Sequence, residues 1–147
     1  MHVTLPDNTK LYYNVNGEEQ AINPQQSIML VLHGGPGLAD HSLYVPFWSK
    51  LQNIVQVVFI GQRGHGRSDG RDSPSTWSFD QWAQDVYDFC EALSIEKPTV
   101  AGILFGGWVA QAYAIKFPSH PSALILCRTE AKIHHEKRKD AYGRKAQ

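Results

Sequence analysis

Hydrophobic residues along the chain fall into short runs separated by glycine-rich or polar segments. Four runs have the length and aliphatic character of buried strands: Ile28–Leu32, Ile54–Ile60, Thr99–Ile103 and Ala123–Cys127. Two further runs, Val3–Leu5 and Leu11–Val15, come first and are separated by the turn-forming residues Pro6-Asp7-Asn8. Because so short a connection favours antiparallel pairing, the pattern predicts an N-terminal β-hairpin.

Helical spacing of apolar residues appears between the predicted strands. The clearest helix follows Ser78, which forms the signature of a capping box with Gln81. Its predicted buried stripe is Phe79, Trp82, Ala83, Val86, Cys90 and Leu93. Tyr44–Leu51 is predicted as a short helix, and Gly106–Phe117 as a helix deep in the fold. Strands that alternate with helices indicate an α/β fold, with a mainly parallel sheet and helices on both faces.

Composition and charge narrow the class of protein. Hydrophobic residues make up 42% of the chain and charged residues 19%, which is typical of a globular domain. The formal net charge is zero, so there is no electrostatic reason to expect nucleic acid or an anionic membrane as a partner. The basic residues are concentrated at the C-terminal end. We therefore expect a core over residues 1–127 and a basic, helical tail over residues 128–147.

The remaining sequence signals point to a cytoplasmic protein without a cofactor. Cys90 and Cys127 lie far apart and lack C-x-x-C spacing, so two free thiols are expected, and a bridge between them is the alternative. No cluster of histidine, cysteine and carboxylate residues has metal-ligand spacing, and no cofactor or metal is expected. No apolar run approaches the ~20 residues of a membrane helix, and no signal-peptide pattern is present at the start.

Two glycine-rich motifs follow the first two buried strands. In His33-Gly34-Gly35-Pro36-Gly37, the glycines allow a sharp turn that directs backbone N–H groups toward a bound oxygen, with an ordinary tight turn as the alternative. The second motif, Gln62–Asp69, contains Arg63, Gly64, His65 and Gly66. A phosphate site is one interpretation, but the P-loop pattern is missing. A loop held by local hydrogen bonds, with Arg63 buried for structural reasons, is therefore favoured.

A third motif joins the strand Thr99–Ile103 to the following helix. Gly102-Ile103-Leu104-Phe105-Gly106 has the spacing of the G-x-S-x-G nucleophile elbow, a strained turn that lifts one side chain above the sheet. Leu104 occupies the lifted position. A generic glycine-rich turn from strand to helix is the alternative for this motif taken alone.

In this order, the segments L-H-G-G-P-G, Q-R-G-H-G-R-S-D and G-I-L-F-G-G resemble the α/β-hydrolase family, specifically proline iminopeptidases and related hydrolases. The resemblance covers essentially the whole chain and implies the N-terminal part of an α/β-hydrolase fold, with the tail as the opening of a lid. It also implies that the backbone amides of Gly35 and Phe105 form an oxyanion hole. One departure is Gly61, which stands where the family usually has the aspartate of D-x-R-G-x-G-x-S.

The larger departure concerns catalysis. The family resemblance implies a serine at position 104, and an aspartate and a histidine on later strands, beyond residue 147. Leu104 has no proton or lone pair to use in acyl transfer, so we expect an inactive, truncated hydrolase. Two other functions stay open. An exposed edge at the strand Ala123–Cys127 predicts a homo-oligomer or interaction module, and a leucine in the elbow pocket would suit an apolar small ligand.

Overall fold

The N-terminal hairpin is present as predicted. A computed structural model describes residues 1–130, so the tail expected over residues 128–147 lies almost entirely outside the described residues. Strand β1 (His2–Thr4) pairs antiparallel with β2 (Lys10–Val15), and Val3 lies opposite Leu11. Asn8 closes the turn by donating its N–H to the carbonyl of Leu5 at 2.9 Å.

The hairpin continues into one mixed sheet whose central strands are parallel. After β3 (Ile28–Leu32) come β4 (Gln56–Ile60), β5 (Thr99–Ile103) and β6 (Ala123–Cys127), in the spatial order β1-β2-β4-β3-β5-β6. Strands β4, β3, β5 and β6 run parallel, and β2 joins β4 antiparallel. Strand β4 begins two residues later than predicted, because Ile54 and Val55 donate to the carbonyl of Leu51 in the preceding turn.

Helices cover both faces of the sheet, as the alternating pattern predicts. Helices α2 (Phe79–Ala92) and α3 (Phe105–Lys116) pack on one face against alternate strand residues such as Leu30 and Val100. The opposite face, which includes Val31 and Phe59, is covered by the short helix α1 (Val45–Trp48) through Trp48. Both faces of the central strands are therefore buried, which explains their continuous apolar sequences.

The prediction of one continuous helix over Tyr44–Leu51 is wrong. The structure has a 3-10 turn at His41–Leu43, the four-residue α1, and a second 3-10 turn at Ser49–Leu51. Pro46 lies in the first turn of α1, and Trp48 is its single buried residue. With one anchoring side chain, the segment lacks the apolar stripe that would stabilise a longer helix.

Helix α2 begins as predicted, with one difference at its cap. The Ser78 hydroxyl accepts a hydrogen bond from the Gln81 backbone N–H at 3.1 Å. The Gln81 side chain does not return to Ser78, as a full capping box requires, but donates to Asp85 at 2.9 Å. Both cysteines are free, with Cys90 buried and Cys127 half-buried, which confirms the expected thiols.

Residues 1–130 contain neither a membrane-spanning helix nor a cluster of metal-binding side chains. None of the helices in this part of the chain is long and apolar enough to cross a membrane. The same described residues contain no group of three or more histidine, cysteine, aspartate or glutamate side chains placed to hold a metal ion.

Candidate functional site

The three motifs of the sequence meet at one edge of the sheet. They follow β3, β4 and β5, which are neighbours in the order β4-β3-β5 and run parallel. Loops at the carboxyl ends of parallel strands lie side by side, and open α/β sheets bind their ligands there. The fold therefore brings the three motif loops together.

The bend between β5 and α3 has the geometry of a strained turn. Leu104 separates the last residue of β5 from the first residue of α3, and its φ of 52° and ψ of −115° lie in a region that leucine rarely adopts. Its N–H donates to the carbonyl of Cys127 at 2.9 Å. The Leu104 side chain is 46% exposed, so the bend presents it to solvent at the edge of the sheet.

Two glycines allow the helix to approach the sheet at this bend. A Cβ atom on Gly106 would lie 2.1 Å from the carbonyl oxygen of Leu32, at the end of β3. A Cβ atom on Gly102 would lie 2.5 Å from the carbonyl oxygen of Gly106. Real Cβ atoms do not approach this closely, so both glycines of the G-x-L-x-G pattern are required by packing.

The His33–Gly37 loop lies directly against the bend. A Cβ atom on Gly34 would stand 3.1 Å from the Cβ of Leu104, and Gly35 has a φ of 67° in the left-handed region. Phe105 is the first residue of α3, where backbone N–H groups lack intrahelical acceptors. Within residues 1–130, neither the Gly35 amide nor the Phe105 amide donates a hydrogen bond to a protein acceptor.

Two buried histidines connect the first two motif loops. His33 accepts a hydrogen bond at Nε2 from the Gln62 N–H at 3.1 Å, and its Nδ1 lies 2.9 Å from the carbonyl of Gly34. His65 accepts at Nε2 from the Gly37 N–H at 2.7 Å, and its Nδ1 lies 2.9 Å from the carbonyl of Arg63. These partners assign the proton to Nδ1 in both rings. Burial lowers the pKa of His65, and it lowers the pKa of His33 to about 4.

These histidines make stability depend on pH. In the unfolded chain the pKa of a histidine is ~6.5, so between that value and about 4 the unfolded state binds a proton that buried His33 does not. The folded state is favoured above this window, and stability falls as the pH falls through it. The pKa difference corresponds to roughly 3 kcal/mol. Urea unfolding at pH 6.5, 5.5 and 4.5 should show the decline. A smaller decline is expected in His33→Asn, and an identical decline would contradict the role of His33.

Arg63 fills a structural role. Its Nε and Nη2 atoms donate to the two carboxylate oxygens of Asp85 at 2.8 and 2.7 Å, and Nη2 also donates to Asp7 at 2.6 Å. The bonds to Asp85 raise the pKa of the Arg63 guanidinium above its usual range. Arg63 therefore joins the hairpin turn, the second motif loop and α2, and a phosphate site at this arginine is not supported.

The other residues of the second loop are also fixed by packing. Gly64 has a φ of 84°, and a Cβ atom there would lie 2.5 Å from the ring of Trp77. A Cβ atom on Gly66 would lie 3.0 Å from the Asp40 carboxylate. Two partners of this loop, Asp85 and Trp77, are not predicted by the sequence patterns. The position of Asp85 could have indicated such a contact, because it lies on the buried side of α2 beside Val86. A buried acidic residue requires a partner.

A cavity of about 260 Å³ lies beside the first motif loop. Its lining includes the apolar Leu38 and Leu43 and the charged Asp40 and Arg71. Leu104 is not part of this lining, so the cavity is separate from the bend. The apolar elbow pocket expected around Leu104 therefore stays a prediction.

Sequence comparison places the protein in a family. The family model described as the α/β hydrolase fold matches residues 27–143, and the chain belongs to this family. It is proline iminopeptidase-like. The chain is 36% identical over 129 residues to Proline iminopeptidase PfmaB of Pestalotiopsis fici, which covers 86% of this chain and 43% of that protein. It is 32% identical over 125 residues to a proline iminopeptidase of Xylella fastidiosa, covering 83% of this chain and 37% of the relative. The chain thus spans about two fifths of the length of these relatives.

Solved structures agree with this assignment. A proline iminopeptidase-related protein from Thermus thermophilus superposes with a TM-score of 0.72 at 26% identity, over 88% of this chain and 44% of that one. A thermophilic esterase from Thermogutta terrifontis superposes with a TM-score of 0.81 at 24% identity, over 98% of this chain and 50% of that one. At that identity, the esterase supports the fold alone.

Proposed function

We propose that this chain is a catalytically silent member of the α/β-hydrolase family, related to proline iminopeptidase-like hydrolases of peptide, amide or ester bonds. The observation that carries the proposal is Leu104 at the apex of the bend, with a φ of 52° and a side chain 46% exposed. The G-x-S-x-G elbow of active relatives has its nucleophilic serine at this position. A leucine side chain cannot attack a carbonyl or release a proton, so it forms no acyl-enzyme.

The histidines beside the bend do not supply a general base. A base needs a free lone pair directed at the proton that it removes. In His33 and His65, Nε2 already accepts a backbone N–H, and Nδ1 carries the proton directed at a carbonyl. Either ring would have to abandon bonds that hold two loops together before it could accept a proton from a substrate or nucleophile.

Two other potential nucleophiles are equally constrained. The Ser68 hydroxyl accepts the Tyr12 N–H at 2.8 Å and donates to the carbonyl of Gly61, which fixes the loop to β2. The Cys90 side chain is fully buried, and burial raises the pKa of its thiol to about 12. A thiol with so high a pKa is almost entirely protonated at neutral pH and reacts poorly.

The part of the catalytic apparatus that we propose the chain retains is an oxyanion-binding pair, the amides of Gly35 and Phe105. Removing the nucleophile of a serine hydrolase lowers kcat by about 10⁶, and the oxyanion hole and substrate binding then leave roughly 10³–10⁴ over water. This residual rate needs a well-bound substrate. We therefore expect any turnover to exceed the uncatalysed rate by no more than roughly 10³–10⁴, far below the rate of an active serine hydrolase.

Labelling with an active-site probe tests the proposal. We expect no covalent adduct by intact-mass spectrometry after the 147-residue chain is incubated with a fluorophosphonate, because the bend offers no activated nucleophile. A proline iminopeptidase treated in parallel provides the positive control, and heat-unfolded chain provides the background. Stoichiometric labelling of the folded chain, at any residue, would refute the proposal.

A further inference from the structure

The cavity beside the first motif loop lies between two segments that follow different strands. One wall is formed by residues 37–40, 42 and 43, which follow β3, and the other by His65, Gly66 and Arg71, which follow β4. Its volume of about 260 Å³ is just below the ~300–1,000 Å³ of sites for drug-sized ligands. The cavity therefore has the size for one small molecule.

Contacts between the two walls hold the cavity in shape. The Gly37 N–H donates to Nε2 of His65 at 2.7 Å, and this bond joins the first wall to the second. The His65 ring is itself held by the Trp77 ring, which stacks on it with centroids 5.7 Å apart and planes inclined by 23°. Because these bonds exist without a ligand, binding would require little ordering of the walls.

Asp40 supplies a negative charge to the first wall. Its Oδ1 accepts the Ser42 N–H at 2.8 Å and the Ser42 hydroxyl at 2.5 Å. Burial alone would raise the pKa of Asp40, but the hydrogen bonds from Ser42 outweigh it, so the pKa is lowered and the carboxylate is ionised at neutral pH. Among the residues that the structure describes, no lysine or arginine pairs with Asp40, and nothing donates to its Oδ2. This oxygen can accept a hydrogen bond from a ligand.

Arg71 supplies a positive charge to the second wall. Its side chain forms no hydrogen bond and no ion pair with any residue in the range 1–130, and so it does not pair with Asp40 across the cavity. His65 adds no charge, because burial lowers its pKa and leaves the ring neutral at pH 7. The cavity therefore presents one carboxylate and one guanidinium that are not joined to each other.

We propose that this cavity binds a small zwitterion, a free α-amino acid with an aliphatic side chain. The ammonium group of the ligand would donate to Oδ2 of Asp40, and its carboxylate would accept from the Arg71 guanidinium. A sphere of the cavity's volume is roughly 8 Å across, so one small molecule can contact both groups. The aliphatic side chain would lie against Leu38 and Leu43, the two large apolar residues of the lining.

Ligands with a single charge fit this lining less well. An amine without a carboxylate would leave the Arg71 guanidinium without a counter-ion, and a carboxylate without an amine would be repelled by Asp40. The site is also separate from the bend, because Leu104, Phe105 and Gly35 are not part of the cavity lining. Amino acid binding here is therefore independent of whether the chain hydrolyses a substrate, and it makes or breaks no covalent bond.

Titration of the full 147-residue chain with leucine and its analogues tests the class of ligand. Isothermal titration calorimetry, with saturation-transfer NMR for weak binding, should show saturable binding of leucine. Leucinamide has no carboxylate, and 4-methylpentanoic acid has no amine. Each is expected to bind about tenfold more weakly than leucine or worse, because each loses one charge-assisted contact. Glycine keeps both charges but has no side chain to contact the leucines, so it should also bind more weakly than leucine.

Substitutions of the two charged residues test the site itself. Asp40→Asn keeps an oxygen that accepts from Ser42, and Arg71 has no partner to lose in the described part of the chain, so both variants are expected to fold. Asp40→Asn and Arg71→Gln should each weaken leucine binding about tenfold or more. Asp72→Asn and Lys50→Gln are the matched controls, because they remove the same charges at exposed positions outside the cavity lining.

The outcomes separate this proposal from that of catalytic silence, which fluorophosphonate labelling tests. Leucine binding that weakens in Asp40→Asn and in Arg71→Gln, and that is unchanged in Asp72→Asn and Lys50→Gln, supports the proposal. Equal binding of leucine, leucinamide and 4-methylpentanoic acid would contradict recognition of a zwitterion. No saturable binding of leucine up to ~10 mM, or binding that is unchanged in Asp40→Asn and Arg71→Gln, would overturn the proposal.

Discussion

Replacing Gly106 with alanine is expected to destabilise the chain by about 3 kcal/mol. Helix propensity alone predicts the opposite, because alanine is favoured over glycine inside a helix by about 1 kcal/mol. The packing of α3 against β3 determines that the substitution destabilises the fold. The added Cβ atom would stand 2.1 Å from the Leu32 carbonyl oxygen, and that oxygen belongs to the backbone of a buried strand. The start of α3 would have to move away from β3, which would also open the bend at Leu104.

Gly37→Ala is the matched control. Gly37 has a φ of 78°, but a Cβ atom there would meet only the Trp77 ring, at 3.9 Å. The expected loss is the backbone strain of about 1–2 kcal/mol. Urea unfolding followed by tryptophan fluorescence measures both variants. A Gly106→Ala chain as stable as the parent would show that α3 does not pack against β3 as described.

Replacing Asp85 with asparagine is expected to lower the free energy of unfolding by about 3–5 kcal/mol. The Arg63 guanidinium is buried and makes a two-pronged contact with the Asp85 carboxylate at 2.7 and 2.8 Å. Asparagine leaves the arginine charge in the interior without its buried counter-ion. The same change leaves one acceptor oxygen at position 85, so the hydrogen bonds from Arg63 Nε, Arg63 Nη2 and the Gln81 side chain cannot all be kept.

Asp7→Asn separates this effect from the general removal of a negative charge. Asp7 also contacts Arg63, at 2.6 Å, but its side chain is 47% exposed. Water replaces such a partner readily, so a loss of no more than ~1 kcal/mol is expected. Chemical denaturation of the two variants at neutral pH gives the comparison. Similar losses would mean that burial does not strengthen the Asp85 contact.

Much of the fold follows from local sequence patterns. The continuous apolar runs predict strands buried on both faces, and β3, β5 and β6 have the predicted bounds. The spacing of Gly102 and Gly106 predicts the bend, because only glycine allows so close an approach of helix and sheet. These features depend on residues near one another in the chain, so the sequence contains them directly.

The contacts that hold the motif loops could not be predicted in the same way. Arg63 binds Asp85, which is 22 positions away, and the His33 ring binds the Gln62 amide, which is 29 positions away. Such pairs depend on the order of strands in space, and a spacing pattern does not encode it. The short helix α1 was overestimated for a related reason. This helix is short because Trp48 is its only side chain buried against the sheet. That burial depends on strand residues from other parts of the chain.

The most direct test of catalytic silence is the rate of hydrolysis by Leu104→Ser. The variant returns a hydroxyl to the apex of the bend, and near-UV circular dichroism can confirm that the fold is retained. In His33 and in His65, Nε2 accepts a backbone N–H from the other motif loop, and Nδ1 is bonded to a carbonyl of its own loop. We therefore expect neither ring to act as the base that activates that serine. Hydrolysis of an aryl ester and a prolyl arylamide should stay at the rate of the parent chain. A kcat/KM near the ~10⁴ M⁻¹s⁻¹ of ordinary enzymes would contradict the account.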